Sequence, residues 1–200
     1  MEDDEYIENY LLYNTSLIIA GIKPAVTITV KKSNHRLYNS WVKFGTNFIN
    51  EINLEYTELR ENMDYIILMI YDRHVLDKNL NIKENKEFLI NLGYKENFII
   101  DDCIKNLKNR YNKYHCPHEL GLFLGIPFED VKDFMECKEK KCLLCGYWKV
   151  YNNTIEAKKI FDKYDEIKEY TIKNILKGNN SSHSLIVSIK DSFYNNVKYI

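Results

Sequence analysis

Seven consecutive residues, Tyr65-Ile66-Ile67-Leu68-Met69-Ile70-Tyr71, are aliphatic or aromatic without a charged or strongly polar break. A strand with this composition is apolar on both faces, so it needs cover from two sides and belongs in the interior of a sheet. Helices must then supply much of that cover. Asp72, Arg73 and His74 follow at once. Were the sheet parallel, ligands would gather there, with Arg73 or His74 on an anion, whereas Asp72 reads more simply as a helix cap.

The remaining pattern fits around this strand. Residues 3–12 read as a short helix with acids in its first turn. Thr15 to Ala20 and Val26 to Lys31 are β-branched runs around Gly21-Ile22-Lys23-Pro24, which suggests two strands and a turn. His35 to Ile52 has helical apolar spacing, with Trp41 in the core. Lys83 to Leu92 and Ile99 to Tyr114 predict helices separated by Gly93, with Cys103 as a small core residue. Thr154 caps a long helix to about Lys177, ended by Gly178-Asn179-Asn180, and Ser184 to Ile189 alternates as a strand with a helix as the alternative. The expected fold is α/β (or α+β), a single domain over residues 1–200. A small mixed sheet of three to five strands is packed by six or more helices.

Cys116 to Tyr151 is the most specific stretch, with four of the five cysteines. Pro117 suits the first residue of a helix, Cys116 its N-cap and Glu119 its third position. Gly125 stops that helix and Pro127 opens a second, whose apolar face is Val131, Phe134 and Met135. Gly146 to Tyr151 alternates as a strand with Tyr147, Lys149 and Tyr151 on one face and Trp148 and Val150 on the other. The motifs PHELGLFLGIPFEDV and CGYWKVY resemble the bacterial family called domain of unknown function 3793, and the AGIKP turn at Ala20 to Pro24 extends the likeness. Ile126 departs from the tyrosine usual in that family. The resemblance implies a family and no activity.

Cys137, Cys142 and Cys145 form C-x4-C-x2-C, a spacing that suits zinc or a plant-type iron–sulfur cluster, with Cys116 as fourth ligand and His118 as substitute. Unligated thiols are the plain alternative. Cys145 with His118 as base would make a thiol nucleophile, without the signature of a thiol enzyme.

Basic residues total 28 against 29 acids, so no global field attracts nucleic acid or an anionic membrane. The helix, glycine turn, helix segment superficially resembles a DNA-binding helix-turn-helix, with Gly121 and Val131 at the packing positions. Its second helix would instead present Glu129, Asp130, Asp133 and Glu136 to phosphates, with Lys132 and Lys138 in compensation. The acidic first residues and the lack of a long apolar run predict a cytoplasmic protein without disulfides.

Three functions remain from different classes. The first is binding of a small anionic ligand or cofactor in a cleft formed by the AGIKP turn, the PHE helix start and the YWKVY strand. Lys23, Lys149, Trp148 and Tyr151 would be its contacts. If a reaction occurs, His118 is the acid or base, because imidazole titrates near neutrality, and Glu119 orients it. The second is the metal site, and the third a non-catalytic docking module that uses the acidic helix pair. Whether the protein is an enzyme is left open by the sequence.

Overall fold

The computed structural model describes residues 1–97, 99–137, 139–178 and 181–194. Lys138, Asn179 and Asn180, invoked above, lie outside the described residues. The fold is α/β, with two compact units: Met1–Arg73 with Glu166–Ile200, and His74–Asp165.

The first unit is built on a three-stranded sheet of order β1-β3-β2, from β1 (Ala25–Lys31), β2 (Glu55–Glu61) and β3 (Tyr65–Tyr71). The apolar run is the central strand, and Ile66, Leu68, Met69, Ile70 and Tyr71 are all buried. Both ladders are antiparallel, where a mixed sheet was expected. A ligand site at the carboxyl ends of parallel strands therefore has no counterpart here. Arg73 pairs with Glu55 at 3.1 Å, so it holds the strand end and is not an unengaged anion contact. β2 reads as a polar link in sequence because it is an edge strand whose one buried side chain, Leu59, sits at a bulge between Glu58 and Arg60.

Helix α1 runs over Asp3–Ile19, so the strand expected at Thr15 to Ala20 is helical. Burial overrides β-propensity there: Thr15, Ser16, Leu17, Ile18 and Ile19 are all buried. The Thr15 hydroxyl donates to the Leu11 carbonyl at 2.8 Å, which satisfies it inside the helix. AGIKP is consequently a helix stop and not a hairpin turn. Gly21 adopts φ 74° and donates to Ile18 O at 2.8 Å, while Ile22 donates to Leu17 O at 3.1 Å, the paired bonds of a Schellman end. The predicted helix at His35 to Ile52 forms as α2 (His35–Ser40) and α3 (Thr46–Glu51) joined by a π-helical segment, Trp41–Gly45. The widened turn seats the Trp41 ring over Gly45 and edge-on to Tyr56 at 5.3 Å. The terminal segment is helical, α10 (Ser182–Phe193), with the Ser181 side chain capping Ser184 N–H.

Lys23 is half-buried beyond α1, and desolvation pulls its ammonium down to about 8. Lys168, in the same unit, is lowered to about 8 by desolvation and by repulsion from Lys23. Lysines lowered by folding bind fewer protons folded than unfolded, so their contribution to stability rises with pH between about 8 and 10.5. Lys23→Met is expected to stabilise the protein at pH 7 by on the order of 1–2 kcal/mol, after allowance for partial exposure. The gain should fade toward pH 10.5, the ordinary lysine value. Melting temperatures of the two proteins across that range check this; a difference independent of pH contradicts it.

The second unit contains most of α4 (Arg73–Leu80), then α5 (Lys83–Asn91), α6 (Ile100–Tyr114), α7 (Leu120–Phe123) and α8 (Phe128–Glu136). A two-stranded hairpin of β4 (Leu144–Cys145) and β5 (Lys149–Val150) follows, then the first part of α9 (Thr154–Lys177). Gly93 ends α5 as expected, and Cys103 is buried. The α9 cap is Asn153, whose side chain accepts from Glu156 N–H at 3.1 Å, one residue before the expected Thr154. No described helix is long and apolar enough to cross a membrane.

Candidate functional site

A cavity of about 400 Å³ opens in the second unit, and the residues around it come from the stretch singled out in sequence. Its first wall is the PHE segment. The helix expected to start at Pro117 starts at Leu120 and has only four residues; before it, Leu120 N–H bonds to Pro117 O and Gly121 N–H to His118 O, both at 3.1 Å. Cys116 therefore caps no helix, and the exposed helix N-terminus expected to attract an anion is not formed.

Within that turn the side chains alternate. His118 is exposed and reaches the cavity, while Glu119 points inward and is 1% exposed. The Glu119 carboxylate is held by the Arg110 guanidinium and accepts from the Tyr94 hydroxyl at 3.4 Å. Arg110 also donates to Leu92 O at 3.2 Å. Glu119 thus ties the PHE turn to α6 and the end of α5, and it does not orient His118. Burial together with this carboxylate pushes the Tyr94 hydroxyl well above the ordinary phenol range.

The second wall is α8, fixed against α7 by close approach. A side chain on Gly121 would put its Cβ 2.8 Å from Val131 Cγ2, so only glycine permits this spacing. Gly125, at φ 73°, turns the chain between the helices, and Ile126 N–H returns to Gly121 O at 2.9 Å. Phe134, 40% exposed, stands on the cavity side of α8.

The third wall is the hairpin, and the residue that joins it to α8 was not anticipated. Asp130 is buried and accepts four hydrogen bonds: Trp148 Nε1–H at 2.7 Å, Tyr151 N–H at 2.9 Å, Asn152 N–H at 3.1 Å and Asn152 Nδ2–H at 3.0 Å. Sequence places Asp130 on an outer acidic face, because an acid in a first helical turn needs no buried partner to explain it. Asp133 is engaged too, with Lys140 at 2.5 Å and Asn152 at 2.9 Å, and these bonds hold its carboxyl below the usual range. Two of the four acids that defined the docking face and the barrier to phosphates therefore serve internal contacts.

The expected strand at Gly146 to Tyr151 is shorter, since only Lys149 and Val150 pair with Leu144 and Cys145. Tyr151 is buried and packs toward Phe134 at 6.5 Å, so it does not share an exposed face with Lys149. Trp148, Lys149 and Tyr147 line the cavity. His118 meets Phe134 edge-on at 4.8 Å, and the Lys149 ammonium lies 5.4 Å from the centre of the same ring. An imidazole and an ammonium thus both approach the Phe134 ring, in a cavity also lined by Leu120, Leu124, Ile126 and Val131. Lys23 belongs to the other unit.

The cysteines divide. Cys142 and Cys145 bring their sulfurs to 3.0 Å. Cys137 hydrogen-bonds Asp133, and Cys116 lies 3.8 Å from the Tyr111 hydroxyl. Among the described residues no three His, Cys, Asp or Glu side chains form a group that could hold a metal ion, so the expected four-cysteine set is not gathered. The hydrogen bond with Cys142 raises the Cys145 thiol, burial adds to this, and Lys149 opposes it.

No curated protein and no solved structure matches the chain. A family model described as "Protein of unknown function (DUF3793)" matches residues 11–186, which include the AGIKP helix stop and all three walls of the cavity, and the chain belongs to that family.

Proposed function

We propose that the second unit binds a small molecule with a flat apolar body and one anionic group. The observation that carries this reading is the cavity, largely apolar in its walls, with His118 and Lys149 both close to the Phe134 ring. Phe134 and the aliphatic walls would cover the apolar body, where each 100 Å² removed from water favours binding by about 2.5 kcal/mol before the costs of association. Lys149 and His118 would take the anion. Asp130 also lines the cavity, with its oxygens engaged by four uncharged donors, so its charge favours seating the anion away from it. The reading replaces Tyr151 with Phe134 as the ring contact and assigns Glu119 to the scaffold.

The test is a panel of aromatic carboxylates and aryl phosphates, each paired with a neutral amide or alcohol of the same shape. Acids should outrank their neutral counterparts, and Lys149→Ala and His118→Ala should each weaken the best acid by about threefold to tenfold. Leu124→Trp, which fills the cavity, should abolish binding. The reading fails if no acid outranks its neutral counterpart, or if the best acid binds all three variants as it binds the parent.

A further inference from the structure

We propose that Cys142 and Cys145 form a reversible dithiol–disulfide couple that exchanges with small disulfides. The two thiols are the one pair of cysteines in contact among the described residues, with sulfurs 3.0 Å apart across two intervening residues, Leu143 and Leu144. The segment is held from outside the pair: Leu143 N–H bonds to Val150 O at 2.8 Å, and Leu144 and Cys145 pair with Val150 and Lys149. The hairpin therefore holds the backbone of the two cysteines close whether or not the sulfurs are bonded. Closing the bond asks for a shift of about 1 Å, within reach of side-chain rotation.

Exposure sets the order of events. Cys145 is exposed and Cys142 half-buried, donating its S–H to Leu144 O at 3.0 Å. Cys145 loses its proton to solvent and its thiolate attacks one sulfur of a small disulfide, forming a mixed disulfide and releasing the other half as a thiolate, which takes up a proton. Cys142 then loses its proton and attacks the Cys145 sulfur, forming the internal disulfide and expelling the second half as a thiol. Two protein thiols are oxidised and one external disulfide is reduced to two thiols. The second step is intramolecular, so it outruns attack by a second external thiol. Lys149, opposite Cys145 in the ladder, partly offsets the rise that the hydrogen bond with Cys142 and burial impose on the Cys145 thiol. The couple shares Lys149 with the ligand reading of the cavity but does not depend on it, since that reading uses neither sulfur.

The experiment exposes the full chain, purified under reducing conditions, to glutathione disulfide, then reads intact mass and cysteine-containing peptides, and finally adds reduced glutathione. Expected are loss of two hydrogens, a crosslink confined to Cys142 and Cys145, and full return on reduction. Cys142→Ser should stop at one glutathione on Cys145, and Cys145→Ser should suppress the fast reaction at least tenfold. The proposal is overturned if the parent keeps glutathione on Cys145 with Cys142 free, or if the crosslink joins other cysteines. Failure to react, including protection of both thiols by a stoichiometric metal, overturns it as well. The parent protein alone gives these outcomes, so a variant that folds poorly does not cloud them.

Discussion

Asp130→Ala is expected to destabilise the second unit by on the order of 4 kcal/mol, among the largest losses from any single truncation there. The substitution strips acceptors from the Trp148 indole N–H, the backbone N–H groups of Tyr151 and Asn152, and the Asn152 amide. Trp148 and Tyr151 are buried, so water does not readily replace what is lost. Each stranded donor costs about 1–3 kcal/mol, and because the donors relax together the total falls short of the sum. Asp130→Asn should lose roughly half as much: its oxygen can still serve the backbone donors, but its NH₂ then faces the indole N–H. Trp41 and Trp148 lie in different units. Denaturation followed by fluorescence in a Trp41→Phe background therefore reports the second unit. A loss below about 1 kcal/mol for Asp130→Ala would show that the hairpin is held by packing alone.

The case of Asp130 illustrates what sequence makes legible. Periodicity revealed β3, because a central strand must be apolar throughout, and it revealed α5, α6 and α8, because each buries one stripe. It missed β2, where a single buried leucine is too little pattern. It misassigned the last turns of α1 and placed the strand ahead of the alternative helix at Ser184 to Ile189, where burial decided against local preference. The cavity was legible in its motifs but not in its chemistry. His118 and Glu119 are neighbours in sequence and diverge in space, since the partner of Glu119 is Arg110, nine residues upstream, and nothing in local spacing announces that pairing. Cys142 and Cys145 were readable as a pair because two residues separate them; the C-x4-C-x2-C spacing added Cys137, and Cys116 was added as a fourth ligand, but no such group is gathered among the described residues. Trp148 and Lys149, expected on opposite faces of a strand, both line the cavity, whereas Tyr151 is buried beyond the end of β5.

Gly146→Ala should be nearly as damaging, for a reason that composition does not contain. A Cβ at this position would lie 2.3 and 2.6 Å from Cε2 and Cδ2 of the Phe161 ring, closer than nonbonded atoms approach. The ring cannot easily retreat: it packs edge-on to Trp148 at 4.5 Å and against Tyr147 at 5.6 Å, and it is 9% exposed. Either the hairpin moves or the aromatic cluster does, and overpacking of this kind costs about 1–3 kcal/mol or more. Since Trp148 and Lys149 follow directly, the displacement should also weaken any ligand held by the cavity. The expected result is a stability loss of about 3 kcal/mol with altered Trp148 fluorescence, again read without Trp41. Phe161→Leu removes the colliding edge and should cost 1–3 kcal/mol alone, yet in the double variant the two losses should fall well short of their sum. Strict additivity would mean that Gly146 is required for its backbone and not for the ring that lies against it.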